Sequence, residues 1–463
     1  LGIILLAGGA SSVSVLALVN VVSESFDTLS AIPRIILVTT TLFFVPSVIL
    51  GMVTPVVIKL RLQDLAVTGS VVGKIYAVST VGSIFGTFIT GFVLIQWIGT
   101  RAILVLVALI LILTALAFGN LWRAKAPSFA AISFVAALGG LGVASGTLDS
   151  GCVRESNYYC IKVTDEMAEG GVPVKVLQLD KLRHSSVSLK DPTFLETGYQ
   201  KVLEEIEGFI AQRNPSLRVL FIGGGGYTMP RYVEAVYPQS TVEVIEIDPE
   251  ITNVAFDHLG LRPDTRIETY NHDARMVIPK LAPAKYDLVV GDTFHDISIP
   301  YHLTTREFNE QVKTLLKATG IYAVNVIDKL HTGRFLRAYV HTLQQTFPFV
   351  YLARDDAGIW EDDSRTTFVV VGSNQALSPK DIEDATVKRK RSRPVSQFMS
   401  GSIFESWLDA QNSVLLTDDY APVDNLTAPV YLARGSRSRA DKHYTTGLDL
   451  QNQRRYTKAI AEY

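Results

Sequence analysis

Four consecutive glycines, Gly223 to Gly226, close the apolar, β-branched run of "VLFIGGGGYTMPRY". A backbone this bare can pass within contact distance of a ligand, and in an open α/β sheet the first strand-to-helix turn is where that approach is needed. Gly223 and Gly225 fit the first two positions of GxGxxG, and Thr228 stands at the third. No Lys follows with P-loop spacing, which argues against an ATP phosphate cradle. The next apolar run ends in "VIEIDPE", and Glu246 lies 23 residues after Gly223. An acid there accepts hydrogen bonds from both ribose hydroxyls of a nucleoside; an exposed strand-end carboxylate is the alternative reading. A third run is followed by "HDAR", where Asp273 can take an adenine amino group. A glycine turn, a ribose acid and an adenine acid at successive strand ends together favour an adenosyl ligand.

The elements that must position these groups are legible from about residue 150 onward. "NYYCIKV", "VKVLQLD" and "HSSVSL" are short and β-rich, which predicts a small antiparallel sheet over 151–192. A helical stretch, "FLETGYQKVLEEIEGFIAQR", spans 194–213. Then strands and helices alternate: "RVLFI", a helix from about Met229, "TVEVIEI", a helix after Pro249, "RIETY", a helix after Asp273, "YDLVVG", a helix from Thr305, "GIYAVNVI", a helix from about Gly333, and "TTFVVVG". Continuous apolar strands joined by helical crossovers predict a doubly wound α/β domain over 193–430. The basic stretch "KRKRSRP" at 388–394 reads as a solvated loop, and 431–463 as a polar tail.

The first third is written differently. The chain has 463 residues, of which 48% are hydrophobic and 19% charged, with a mean hydropathy of +0.24 and a net charge of −2. Residues 1–22, about 35–58, about 71–97, 102–118 and 127–148 are long and nearly free of charge. Each approaches the ~20 residues a helix needs to cross ~30 Å of hydrocarbon, so a membrane domain of about five spans is expected over 1–150, with the lipid bilayer as partner. Residues 1–22 lack the basic start of a signal peptide; the chain also begins without Met, as a fragment lacking earlier helices would. Gly82 and Gly86 form a small-xxx-small pair suited to close helix packing. Lys59, Arg61 and Lys74 in one loop and Arg123 and Lys125 in another place both loops in the cytoplasm, and five spans then deliver the globular domain outside. One span fewer, or helices upstream, inverts this; a cytoplasmic domain at the cell membrane is slightly preferred. Cys152 and Cys160 can close a disulfide in an oxidising compartment or stay reduced.

"VLFIGGGG", "VEVIEIDPEI", "HDAR" and "YDLVVGDTF…LTTREF" resemble the spermidine synthase (polyamine aminopropyltransferase) family, a branch of the S-adenosylmethionine-dependent methyltransferase fold, from about residue 153 to about 330. "LQLDKLRHSSVSLKDPTFLETGYQ", the apolar spans and "LTDDYAPVDN" are similar to its membrane-fused members. The resemblance implies a methyltransferase-like (Rossmann-like) doubly wound sheet with a small N-terminal β-subdomain. It implies transfer of an aminopropyl group from decarboxylated S-adenosylmethionine to a polyamine such as putrescine. Asp292 then stands in the place of the catalytic aspartate, a general base for the amine, whose unperturbed pKa is near ~10. Gly223, Gly224, Gly225, Glu246, Asp273 and His184 would line the donor, while Tyr199, His295 and Asp296 would face the acceptor; Asp180 borders the cosubstrate segment.

Two departures stand out. The family writes GGGDGG and this chain "GGGGYT", so Gly226 replaces an acid; His295 replaces another, with Asp296 beside it. Losing two acids removes attraction for a polycation, which puts putrescine in doubt as acceptor. A methyltransferase, or a non-catalytic nucleoside- or polyamine-sensing membrane or transport protein, are the alternatives. His184, His258, His272, His295 and His302 lack HExxH or CxxC partners, so no metal is expected. No nucleic-acid partner is expected, and a homo-oligomer is left open.

Overall fold

A computed structural model of the chain describes residues 1–26, 29, 31–62, 64–119, 151–180, 182–293, 299–355, 360–361, 363–390, 394–411 and 413–432. The chain divides into two compact units, residues 1–157 with 432–463, and residues 158–431. The expected fifth span at 127–148 and all but the first two residues of the polar tail lie outside the described residues, as does most of the basic stretch after Lys390; Tyr431 and Leu432 end a helix, Val423–Leu432.

The first unit is helical: α1 (Gly2–Ser25), α2 (Ala31–Gly51), α3 (Val53–Arg61), α4 (Thr68–Ile89) and α5 (Ile95–Phe118). Four helical stretches, Gly2–Val19, Ile32–Arg61, Thr68–Leu94 and Trp97–Phe118, are long and apolar enough to cross a membrane. Leu5, Leu6 and Ala115 form a small core between α1 and α5. The two helices approach closely because Gly9 lacks a Cβ, which would sit 3.1 Å from the Ala108 carbonyl. Gly82 and Gly86 do not play that part here: among the described residues nothing lies within 4 Å of where their Cβ atoms would be. Within α5, Gly99 leaves the helix at φ +74°, and the freed Thr100 N–H donates to Glu155 Oε2 at 2.8 Å. The Glu155 carboxylate therefore caps the apolar stretch that follows. Glu155 belongs to a two-residue strand, β1 (Arg154–Glu155). Both cysteines, Cys152 and Cys160, are disulfide-bonded.

The second unit opens on an antiparallel meander of β2 (Cys160–Met167), β3 (Pro173–Leu179) and β4 (Leu182–Val187). Helix α6 (Gly198–Ala211) leads into the main sheet, starting four residues later than the sequence pattern suggests. The sheet contains β5 (Arg218–Ile222), β6 (Thr241–Ile245), β7 (Glu268–Tyr270), β8 (Tyr286–Gly291), β9 (Leu316–Asp328), β10 (Phe349–Asp355), β11 (Thr366–Ser373) and β12 (Ser396–Phe398). Its order is β12-β10-β11-β9-β8-β5-β6-β7. Strands β5 to β9 are parallel neighbours, while β11 runs antiparallel between β9 and β10.

Alternation along each strand supplies two cores. Val219, Phe221, Val242 and Val244 face α6, α7 (Thr228–Val236) and α8 (Pro249–His258); Leu220, Ile222 and Ile245 face the other layer. That layer holds the short α9 (Ala274–Val277), α10 (Arg306–Leu315), α11 (Phe335–Gln344) and, further on, α13 (Gly401–Asp409). Helix α12 (Pro379–Lys390) covers the first face, where Arg389 pairs with the buried Glu204 of α6. This Arg, expected in a solvated loop, is half-buried, and its pairing with a helical carboxylate pins α12 instead. Strand order reverses between β5 and β8, which opens a crevice at their carboxyl ends.

Candidate functional site

The crevice is a cavity of about 410 Å³ whose walls include Gly223, Gly225, Glu246, Asp273, Asp292 and His184. The structure thus brings six of the residues singled out in the sequence to one place.

The glycine turn is shaped by its neighbours. Gly223 has φ +100°, and a Cβ there would stand 2.0 Å from the carbonyl oxygen of Asp292. Only glycine lets the end of β5 abut the end of β8 in this way. Gly225 is also left-handed, at φ +49°, as is Tyr227 at +56°, a non-glycine that stores strain as it opens α7. Tyr227 is held there by its hydroxyl, 3.0 Å from Thr252 Oγ1. Gly226 packs so closely on β4 that a Cβ would lie 2.3 Å from Ser185 Oγ. A side chain at the position where the resemblance calls for an acid would require Ser185 to move.

Glu246, at the end of β6, is 5% exposed. Its Oε2 accepts from Gly224 N at 2.8 Å and Gly225 N at 3.3 Å, and its Oε1 from Asp248 N at 3.0 Å. Burial pushes its pKa up, and these N–H groups pull it back. A carboxylate has about four lone-pair directions, so three accepted bonds leave limited capacity for a ligand hydroxyl. The same side chain thus fixes the loop and faces the cavity. Asp248 next to it caps α8 by accepting from Glu250 N at 3.0 Å.

Asp273 follows β7 and caps α9, its Oδ1 accepting from Arg275 N at 2.7 Å. Its Oδ2 lies 3.1 Å from His302 Nε2. The acid expected to face an adenine amino group therefore already has a histidine partner, one that the sequence pattern did not single out for this role. Arg275 continues the lattice to the His302 carbonyl at 2.8 Å and to Asp418 of the "LTDD" segment.

Asp292 ends β8 with its N–H on the Ile222 carbonyl at 2.8 Å. Tyr199, in the first turn of α6, donates its hydroxyl to Asp292 Oδ2 at 3.0 Å. Asn325 Nδ2 donates to Oδ1. Desolvation pushes Asp292 up to about 6, while the Tyr199 and Asn325 donors hold it down. The partly buried Tyr199 phenol is itself raised by desolvation and by the Asp292 charge. Asn325 was missed in the sequence; the available signal was a lone amide in the apolar strand "GIYAVNVI".

Tyr158 and Tyr159 add aromatic wall that the sequence reading passed over, and burial raises both phenols. Asp180 holds the β3–β4 turn by accepting from Cys160 N at 3.0 Å. His295 and Asp296 lie outside the described residues. Among the described residues no group of three His, Cys, Asp or Glu side chains could hold a metal ion.

Comparison with known proteins adds a partial match to one family. Residues 196–353, about a third of the chain, match the Spermine/spermidine synthase domain. The chain is 31% identical over 148 residues to the polyamine aminopropyltransferase of Vibrio vulnificus (strain CMCP6), covering 32% of this chain and 49% of that protein. It is 25% identical over 236 residues to the eEF1A lysine and N-terminal methyltransferase of Xenopus laevis, covering 47% and 33%. It is 26% identical over 254 residues to a probable polyamine aminopropyl transferase of Bifidobacterium longum (strain NCC 2705), covering 52% and 55%. The chain therefore spans about half or less of the length of these curated relatives. Residues 196–353 are thus similar to a spermine/spermidine synthase domain, and all three relatives are named as transferases.

Proposed function

We propose that the chain is a membrane-anchored aminopropyltransferase that moves the aminopropyl group of decarboxylated S-adenosylmethionine to an amine. The observation that carries this reading is Asp292, a carboxylate pushed up to about 6 at the edge of the cavity and oriented by Tyr199 and Asn325. A base with that pKa is ionised at neutral pH yet can still take a proton from an ammonium group. The amine nitrogen forms a bond to the carbon attached to the sulfonium, the carbon–sulfur pair returns to sulfur, and the proton goes to Asp292. The neutral thioether leaves without an acid. Glu246 and the Gly223–Gly225 turn would hold the adenosine end, and proximity of the two reactants supplies much of the gain.

The membrane part of the proposal rests on four apolar helical stretches of sufficient length. The acceptor class is an amine; a glycine at 226, crowded by Ser185, argues against an acid-rich polyamine grip at that position. Purified protein incubated with decarboxylated or intact S-adenosylmethionine and putrescine tests the reaction by product mass. An added aminopropyl group supports it; an added methyl group replaces it with methyl transfer; turnover retained in Asp292→Asn removes the base.

A second reading draws on the disulfide-bonded cysteines. Disulfides persist in oxidising compartments, where adenosyl donors are scarce, and there the cavity would sense a nucleoside without turning it over. Protease access to residues beyond 157 in intact cells separates the two.

A further inference from the structure

Away from the nucleoside crevice the second unit has another cavity, of about 340 Å³, lined by Arg334, Arg337, Gln411, Ser413, Val414 and Leu426. Two of the six are cations and none is an acid. Arg337 is 3% exposed, its guanidinium lying 4.8 Å from the Trp407 ring centroid. It donates Nε to the Trp407 carbonyl at 3.1 Å and Nη1 to Gln411 Oε1 at 3.0 Å, both neutral acceptors. Among the described residues, the acid whose charge acts on it is Asp328. The Asp328 oxygens already accept from Lys329 N and Leu336 N, each at 2.8 Å, at the start of α11. The Ser413 hydroxyl is buried and has no hydrogen-bond partner among the described residues. Arg334, at the rim, is exposed and makes no ion pair among the described residues.

A buried guanidinium whose hydrogen-bond partners are neutral, and which makes no ion pair among the described residues, bears a desolvation cost that an anion would offset. The free edge of Arg337, the Arg334 fork and the Ser413 hydroxyl are three donor groups on one cavity. Guanidinium forks match oxyanions bidentately, and three donor groups suit the three terminal oxygens of a phosphate better than the two of a carboxylate. Val414 and Leu426 offer apolar wall to an organic remainder.

We propose that this cavity binds a phosphate group, as inorganic phosphate, as a small phosphate ester or as a lipid headgroup. The test uses the full chain in detergent, titrated with inorganic phosphate at constant ionic strength against chloride, with thermal unfolding as readout. A ligand that binds the folded state raises the melting temperature saturably. Arg334→Gln, at an exposed position, weakens phosphate binding roughly tenfold, as expected for loss of a charge-assisted bond; Ser413→Ala weakens it less. Affinity for 5′-methylthioadenosine stays unchanged in both variants, which separates this cavity from the crevice. In nanodiscs, a phosphate response that survives anionic lipid assigns the site to soluble phosphate, and one lost only in anionic lipid assigns it to a headgroup. A response that does not saturate, that chloride reproduces, or that Arg334→Gln leaves intact overturns the proposal.

Discussion

Tyr199→Phe removes one of the two side chains that, among the described residues, donate to Asp292, while leaving the ring in place. The Tyr199 hydroxyl is 3.0 Å from Asp292 Oδ2, and burial already holds the acid at about 6 with both donors present. A hydrogen bond to a charged group contributes ~1.5–3 kcal/mol. At 1.36 kcal/mol per pKa unit its loss lifts Asp292 by roughly 1–2 units, to roughly 7–8. Aminopropyl transfer needs the ionised base, so the acid limb of kcat/KM moves to higher pH by that amount. Near pH 6.5 the rate falls roughly tenfold, and near pH 9 it recovers to within a few-fold of the parent. Stability follows the opposite sense. Because the folded pKa is raised, the folded state binds more protons between the unfolded value near ~3.9 and about 6, and stability falls as pH rises through that window. Tyr199→Phe extends the window upward. The assay is the pH profile of kcat/KM beside urea unfolding over the same range. An acid limb that stays in place, or moves down, refutes the claim that this hydroxyl tunes the base.

Gly223→Ala should cost on the order of 3 kcal/mol or more, since φ is +100° and the new Cβ would meet the Asp292 carbonyl at 2.0 Å; an unchanged melting temperature would contradict the close abutment of β5 and β8. Glu246→Gln points an amide at N–H groups that now reach a carboxylate, so affinity for 5′-methylthioadenosine should drop at least roughly tenfold, as calorimetry would show. Alkaline carbonate washing of membranes should leave the chain in the pellet, given its four apolar helical stretches; release into the supernatant would exclude spanning helices.

Local pattern revealed the glycine turn, the strand ends carrying Glu246 and Asp292, and most of the helix–strand alternation. It failed where partners come from far away in the chain. Strand β10, "FVYLARD", was not picked out, and nothing local tells that β11 enters antiparallel between it and β9, because an apolar strand reads the same in either direction. Asn325 and Asp292 are 33 residues apart, and Tyr199 and Asp292 are 93 apart; such pairs become visible only when the sheet is assembled. Asp273 shows the converse limit. Its type and place were legible, yet one of its oxygens is committed to capping α9 and the other to His302.

The glutamate that receives the Thr100 N–H has a further consequence in a bilayer. Were the segment to span a membrane as proposed, a carboxylate fastened at that point would resist being drawn into oil and would act as a depth gauge for the segment beyond it. From Thr100 to Phe118 there are about 19 residues, ~28 Å of helix, against ~30 Å of hydrocarbon. With so little slack, that segment would have to stand nearly upright, its far end reaching the opposite headgroups just as its apolar sequence runs out.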